Sequence, residues 1–291
     1  MDIAFVILHY LAIEETKRCV EYIRTNIDSR EYRIVIVDNA SGNGSGAVLK
    51  EHYKDASDIT IILNQENLGF ARGNNVGFIY AKKTWNPRYI VLLNNDVYLL
   101  EKDLIHKLDE EYEKSHFAVL GPLIMTADGR CNINPIRTSP MTRQEVLNDI
   151  EIYKRKKFLY RYNLMWLRNK VLRIVKGSQQ KKNNKNYIVR SENVQLHGCF
   201  LVFSTKYTEK FDGLDDRTFL FREEAILYKH VLENGLNTIY LPDIVVFHKE
   251  DAATDQFVQK EKDKALFEIE NHLDSLDVLL EVYHFYEREE G

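Results

Sequence analysis

Residues 90–100 read IVLLNNDVYLL, a buried strand with a fault in it. Ile90 to Leu93 are apolar, and Val97 to Leu100 mostly so, which suits a strand covered on both faces. Between them stand Asn94, Asn95 and Asp96. Two amides and a carboxylate need partners once they leave water. A turn is one answer, because Asn and Asp are favoured there. A cation with a phosphate behind it is the other.

The surrounding pattern places the fault. IAFVILHY (3–10) is an apolar run fit for a buried strand, and the stretch after it carries Cys19, Val20, Ile23 and Ile27 at helical spacing. YRIVIVD (32–38) is a second strand, followed by a loop rich in Gly, Asn and Ser. DITIILNQ (58–65) is a third, and RYIVLLNND (88–96) a fourth, with helical patterns between them. Alternating strand and helix with short loops predicts a parallel sheet with helices on its faces. Ligands of such sheets sit at the carboxyl ends of the strands. Tyr10, Asp38, Asn64 and Asp96 each lie at or just past such an end, which favours a ligand for Asp96.

Composition is that of a globular chain: 291 residues, 44% hydrophobic and 29% charged, with a mean hydropathy of −0.39. No apolar run approaches the roughly 20 residues of a membrane helix, and the first strand has no basic flank or small-residue cleavage site, so no signal peptide is expected. Cys19, Cys131 and Cys199 are odd in number and dispersed, which suggests neither a disulfide framework nor a zinc site and fits a reducing cytoplasm. The net charge of −4 hides an asymmetry: residues 151–190 carry thirteen Lys or Arg and one acid, +12, leaving −16 elsewhere. Within that segment Phe158, Leu159, Tyr162, Met165, Trp166, Val171, Leu172 and Val175 recur every three or four residues, predicting amphipathic helix with a basic face. Such a block points to an anionic partner.

In chain order, LHY, VDNASGNGS (37–45), NLGFARGNNVGF (67–78), LLNNDV (92–97), HGCFLVF (197–203), FLFREEAILYKH (219–230) and VVFHKE (245–250) resemble glycosyltransferase family 2 over roughly residues 1–250. Members with LHY and EET near the start include bacterial rhamnosyltransferases and other makers of surface polysaccharide. The resemblance implies the GT-A fold, an α/β Rossmann-like, mostly parallel sheet with helices on both faces, here with a basic helical insertion and a C-terminal helix. It divides the chain into a nucleotide-binding half (1–125), an insertion (about 141–190), an acceptor half (191–250) and a helical tail (251–291). It also implies inverting transfer from a UDP- or dTDP-sugar, dTDP-rhamnose among them, to a glycan or polyprenyl-linked acceptor, with Mn²⁺ or Mg²⁺ as cofactor.

The family's roles carry over residue by residue. The acidic metal motif falls on Asn94-Asn95-Asp96, where Asp96 keeps the carboxylate as metal ligand and Asn95 faces the ribose or a metal-bound water. A hard cation wants oxygen ligands and neutralises the departing diphosphate. Asp38 accepts from the imide N–H of uracil or thymine; a cap on the Gly-rich loop is the alternative. His9 and Tyr10 line the same pocket. Asn67, Gly69, Arg72 and Asn75 contact the donor, with Gly69 and Gly73 allowing close approach and Arg72 and Asn75 at a helix start suited to anions. His248 meets metal or diphosphate, and Lys249 faces phosphate. Inversion needs a carboxylate to take the acceptor's proton. The family's Glu-Asp pair is here Glu223-Glu224, with Glu224 as base and Glu223 orienting it or binding the acceptor; two acids favoured by the helix dipole are the alternative. His197 and Gly198 form the acceptor-side wall.

A nucleotidyltransferase would carry a Gly-rich phosphate loop after the first strand, and LHYLAIEE has none. A nucleic-acid-binding protein would leave the carboxylates idle, and a non-catalytic scaffold would have lost Asp96 or the glutamate pair. The basic segment, about 151–185, is expected on an anionic membrane at the inner face of the plasma membrane. Core packing or a second copy of the chain in a homodimer are the alternatives for its apolar face.

Overall fold

The computed structural model describes residues 1–29, 31–164, 187–250 and 261–289. Strands β1 (Ile3–His9), β2 (Tyr32–Asp38), β3 (Ile59–Leu63) and β4 (Tyr89–Asn94) lie parallel in the order β3-β2-β1-β4. Their links carry helices α1 (Ile13–Asn26), α2 (Ser45–His52) and α3 (Gly69–Trp85). Beyond β4 the sheet becomes mixed. Strand β8 (Phe200–Ser204) runs antiparallel between β4 and β6 (Val119–Thr126), β9 (Thr238–His248) pairs parallel with β6, and β5 (Val97–Leu99) closes the far edge antiparallel to β9. The short β7 (Ser191–Glu192) also pairs with β9.

The continuous apolar runs arise because both faces of the sheet are covered. Phe5 and Ile7 of β1 pack toward Cys19, Val20 and Ile23 of α1 and Leu104 and Leu108 of α4 (Leu104–Ser115). Ala4 and Val6 point the other way, toward Ala71 and Phe78 of α3. Gly77 lets α3 lie this close, for a Cβ there would stand 2.4 Å from Val6 Cγ1 and 2.9 Å from Val37 Cγ2.

The fault at 94–96 is a two-residue turn at Asn95 and Asp96. It takes the chain off β4 and onto β5, whose partner is β9 in the register Val97↔His248. The turn is therefore what brings Asp96 beside His248.

A third apolar cluster lies outside the sheet. Helix α5 (Arg143–Arg161) opens with a capping box, the Glu145 N–H donating to Thr142 Oγ1 and the Thr142 N–H to Glu145 Oε2. Its Val146 and Ile150 pack with Ala225 and Ile226 of α7 (Glu223–Glu233) and with Leu276, Leu279 and Val282 of α8 (Glu261–Glu289). One turn, α6 (Thr205–Thr208), precedes α7. Of the aromatic stripe expected in the insertion, Phe158 and Tyr162 are 56% and 59% exposed. Met165, Trp166, Val171, Leu172 and Val175 lie outside the described residues. Among the described residues no helix is long and apolar enough to cross a membrane.

Gly77→Ala should lower the unfolding free energy by roughly 1–3 kcal/mol, the usual cost of overpacking. Gly42→Ala, with nothing within 4 Å of the added carbon, should leave it within about 0.5 kcal/mol; urea denaturation of both variants checks this.

Candidate active site

A cavity of about 460 Å³ opens where β1, β2 and β4 end. Tyr10, Asn39, Asn67, Gly69, Asn95, Asp96 and His248 line it, with Glu250, Phe219 and Leu220 closing its far side. Asn39, which sequence reasoning did not single out, organises its floor. Its Nδ2 donates to Asn67 Oδ1 (2.8 Å) and to the Gly69 carbonyl (3.0 Å). Its Oδ1 accepts from Asn64 Nδ2 (3.1 Å) and the Leu68 N–H (3.0 Å). The signal was its place directly after the second strand.

The neighbours expected with it are placed differently. His9 is fully buried and does not reach the cavity: Nδ1 bonds Thr16 Oγ1 (2.6 Å) and Nε2 bonds Ser45 Oγ (2.8 Å). Burial pulls its pKa down to about 4, against the charge of Asp38, so a neutral ring braces β1 against α1 and α2. Asp38 is 6% exposed. Its carboxylate accepts from the Ser41 N–H at 3.3 Å and fits only because Gly46 has no side chain, since a Cβ there would stand 2.2 Å from Oδ2. These are loop-capping contacts, and Asp38 is not part of the cavity wall.

Asn75 and Arg72 also serve the fold. The Asn75 amide bonds the Leu214 carbonyl and N–H, each at 2.8 Å. Arg72 is exposed and donates through Nε to the Asp216 carbonyl (2.8 Å). The close approaches at Gly69 and Gly73 are to protein. Gly69 has φ +78°, and a Cβ there would lie 2.2 Å from the Phe219 carbonyl, while at Gly73 it would meet Leu8 and Asn39. Lys249 is likewise engaged within the chain, its Nζ bonding Glu15 Oε1 at 2.7 Å instead of standing free for phosphate.

Asp96 and His248 do meet: Nε2 lies 3.4 Å from Asp96 Oδ1 at the cavity edge, both residues nearly buried. His248 Nδ1 is buried without a hydrogen-bond partner. Asn95 lines the same edge, its Nδ2 donating to Thr16 Oγ1 at 3.1 Å. Among the described residues no third His, Cys, Asp or Glu completes a metal cluster. One carboxylate and one imidazole fit a divalent cation that takes its other ligands from phosphate oxygens and water.

A second cavity, of about 480 Å³, shares Phe70, Asn94 and Leu220 with the first. Asn94 thus stands at the junction. His197, Gly198, Glu223 and Glu224 line this second space. The Gly198 N–H donates to Glu224 Oε1 (3.2 Å), and a Cβ on Gly198 would stand 2.8 Å from that oxygen. Glu223 is 7% exposed and accepts from Thr218 Oγ1 (3.2 Å). Burial, then the charge of Glu224, pushes its pKa up to about 8. His197 takes the Cys199 N–H on Nδ1 at 3.2 Å, and burial lowers its pKa. Phe221 and Arg222, just before the pair, both hold left-handed backbone, φ +75° and +66°, a conformation non-glycine residues keep only when their surroundings enforce it.

A family model described as glycosyl transferase family 2 matches residues 4–176. The chain belongs to glycosyltransferase family 2. The match ends before Glu223, so within this family-2 chain the second cavity is described by geometry alone. A low-salt glycan biosynthesis hexosyltransferase, Agl10 of Haloferax volcanii, is 25% identical over 139 residues, which are 48% of this chain and 40% of that protein; the chain thus spans about two fifths of that relative's length. TarS of S. aureus, residues 1–349, superposes with a TM-score of 0.54 at 13% identity over 94% of this chain and 71% of that one. Its complex with UDP-GlcNAc gives 0.55 at 12% identity over 92% and 64%. The sheet order is the GT-A arrangement that the sequence resemblance implies.

Glu223 is held protonated in the folded state, so the stability it contributes is full below the ordinary carboxylate pKa of 4.5 and is lost as pH rises through about 8. Glu223→Gln removes that loss. Its melting temperature relative to the native chain should rise steadily between pH 5 and pH 9 in thermal scans.

Proposed function

We propose that this chain transfers a sugar from a UDP- or dTDP-sugar, dTDP-rhamnose being one such donor, to a glycan acceptor with inversion at the anomeric carbon. The observation that carries the reading is the joining of two cavities at Asn94, with Asp96 and His248 on one side and Glu224 on the other. Similar proteins agree in kind: Agl10 is a hexosyltransferase of glycan biosynthesis, and TarS has been crystallised with UDP and UDP-GlcNAc.

The donor lies in the first cavity, its pyrimidine against Tyr10 and its diphosphate at Asn95, Asp96 and His248. Mn²⁺ or Mg²⁺ held by Asp96 and His248 would supply neutralisation of the diphosphate's charge. The acceptor hydroxyl lies in the second cavity, where its oxygen attacks C1 opposite the leaving group. The C1–O bond to the diphosphate breaks, and the hydroxyl proton passes to Glu224. Glu223 stays neutral, and the Gly198 N–H fixes the Glu224 oxygen.

Glu224→Gln should reduce transfer by on the order of 10² to 10⁴ while UDP affinity in calorimetry stays unchanged. Full activity in Glu224→Gln alongside an inactive Glu223→Gln would reverse their roles. Asp96→Asn should weaken UDP binding in Mn²⁺ and leave the affinity in EDTA little altered; equal weakening under both conditions would remove Asp96 from the cation.

The acceptor is proposed to be lipid-linked, as in surface polysaccharide synthesis at the inner face of the plasma membrane. Support comes from the exposed Ile152, Phe158 and Tyr162 beside Lys154 and Arg155 at the end of α5, a composition suited to a bilayer interface. Lys154 and Lys157 are partly spent on Glu151 (3.5 Å) and Glu270 (3.0 Å). Co-sedimentation with anionic vesicles should fall with salt and fall further when Lys154, Arg155, Lys156 and Lys157 become Ser. Equal binding to neutral and anionic vesicles, or none to either, would sink the membrane reading and leave a soluble acceptor or an interface with a second copy of the chain.

A further inference from the structure

The buried polar atoms without a partner in the described residues are Gln195 Oε1, Arg222 Nε, His248 Nδ1 and His272 Nδ1. His248 belongs to the donor cavity, and the other three residues line the second one. Those three atoms are themselves shut off from the cavity, but Gln195, Arg222 and His272 together give its wall a polar character.

The centre of that wall is His272, contributed by α8 from beyond the family-matched residues 4–176. Its ring is sandwiched between Phe221 (centroids 3.9 Å apart, planes 14°) and Tyr153 (4.5 Å, 30°). The Ser275 hydroxyl, donating to the Leu220 carbonyl at 2.8 Å, fixes the helix against the same loop. Arg222 on the other flank donates to Asp149 at 2.9 Å. Aromatic rings with hydrogen-bonding edges suit a sugar ring, which has apolar C–H faces and a rim of hydroxyls.

Resting on the transfer reaction proposed above, we propose that His272, with Gln195 and Arg222 beside it, binds the acceptor's sugar ring and determines which acceptor is accepted. The contact atom is Nε2, since Nδ1 is walled off. Burial, with the cations of Arg222 and Lys156, holds the ring neutral, its pKa lowered to about 4. An unpaired N–H at Nδ1 is a worse outcome than an unpaired lone pair, so the proton sits on Nε2 and is donated to a hydroxyl oxygen.

His272 also supports the left-handed corner at Phe221 and Arg222, so the test must separate binding from support. His272→Phe keeps the stack and removes the donor; His272→Ala removes both. Saturation-transfer NMR with methyl glycosides of glucose, mannose and N-acetylglucosamine, in the presence of UDP and Mn²⁺, reads acceptor binding directly. At least one glycoside should bind the native chain, and its Kd should rise about 3- to 10-fold in His272→Phe, the worth of one neutral hydrogen bond, with UDP affinity and melting temperature unchanged. Glycoside binding that is equal in the native chain and His272→Phe, or absent from the native chain while UDP binds, overturns the assignment and leaves the transferase reading standing. Failure of UDP itself to bind would overturn both. A rise in Kd with His272→Ala alone assigns the residue to support of the corner and likewise overturns it.

Discussion

The turn at Asn95 and Asp96 is the constraint on which the site depends. A strand as apolar as β4 has no reason to end inside the sheet except that three polar residues must find partners there. By turning, the chain leaves β4 for β5, pairs with β9, and sets Asp96 against His248. The turn and the proposed cation ligand are one feature. A carboxylate that forms part of a tight turn between two paired strands is held rigidly, which is what a cation-binding group requires.

A second constraint acts from outside the sheet. Glu223 and Glu224 open α7 directly after two residues in left-handed backbone. That corner is held by α5 through Asp149 and by α8 through His272 and Ser275. The helical layer is thus more than a cover for apolar surface. It fixes the corner that aims Glu224 at Gly198, while burial keeps Glu223 neutral. The sheet positions Asp96 and His248 in one cavity and the helices position Glu223 and Glu224 in the other, and the two cavities meet at Asn94.

What could be read from the sequence was what is local. Strand and helix periodicity gave the alternation, and polar residues at strand ends pointed to Asp96 and to the end of β2, where Asp96 and Asn39 line the first cavity. Long-range partners were invisible. Nothing in the sequence says that both nitrogens of His9 are taken by Thr16 and Ser45, that the Asn75 amide is consumed by the Leu214 backbone, or that Lys249 pairs with Glu15 from near the start of the chain. Arg72 at a helix start looked like an anion ligand, yet the fold gives it a carbonyl. Asn39 was hidden by its neighbour Asp38, and His272 by an ordinary amphipathic helix.

The anomeric configuration of the product tests the central claim most directly. Attack by an acceptor activated at Glu224, from the side opposite the diphosphate, predicts a glycosidic bond of configuration opposite to the donor's, read from the anomeric proton coupling in NMR of the first product formed. A product that keeps the donor's configuration would contradict the placement of donor and base on either side of Asn94.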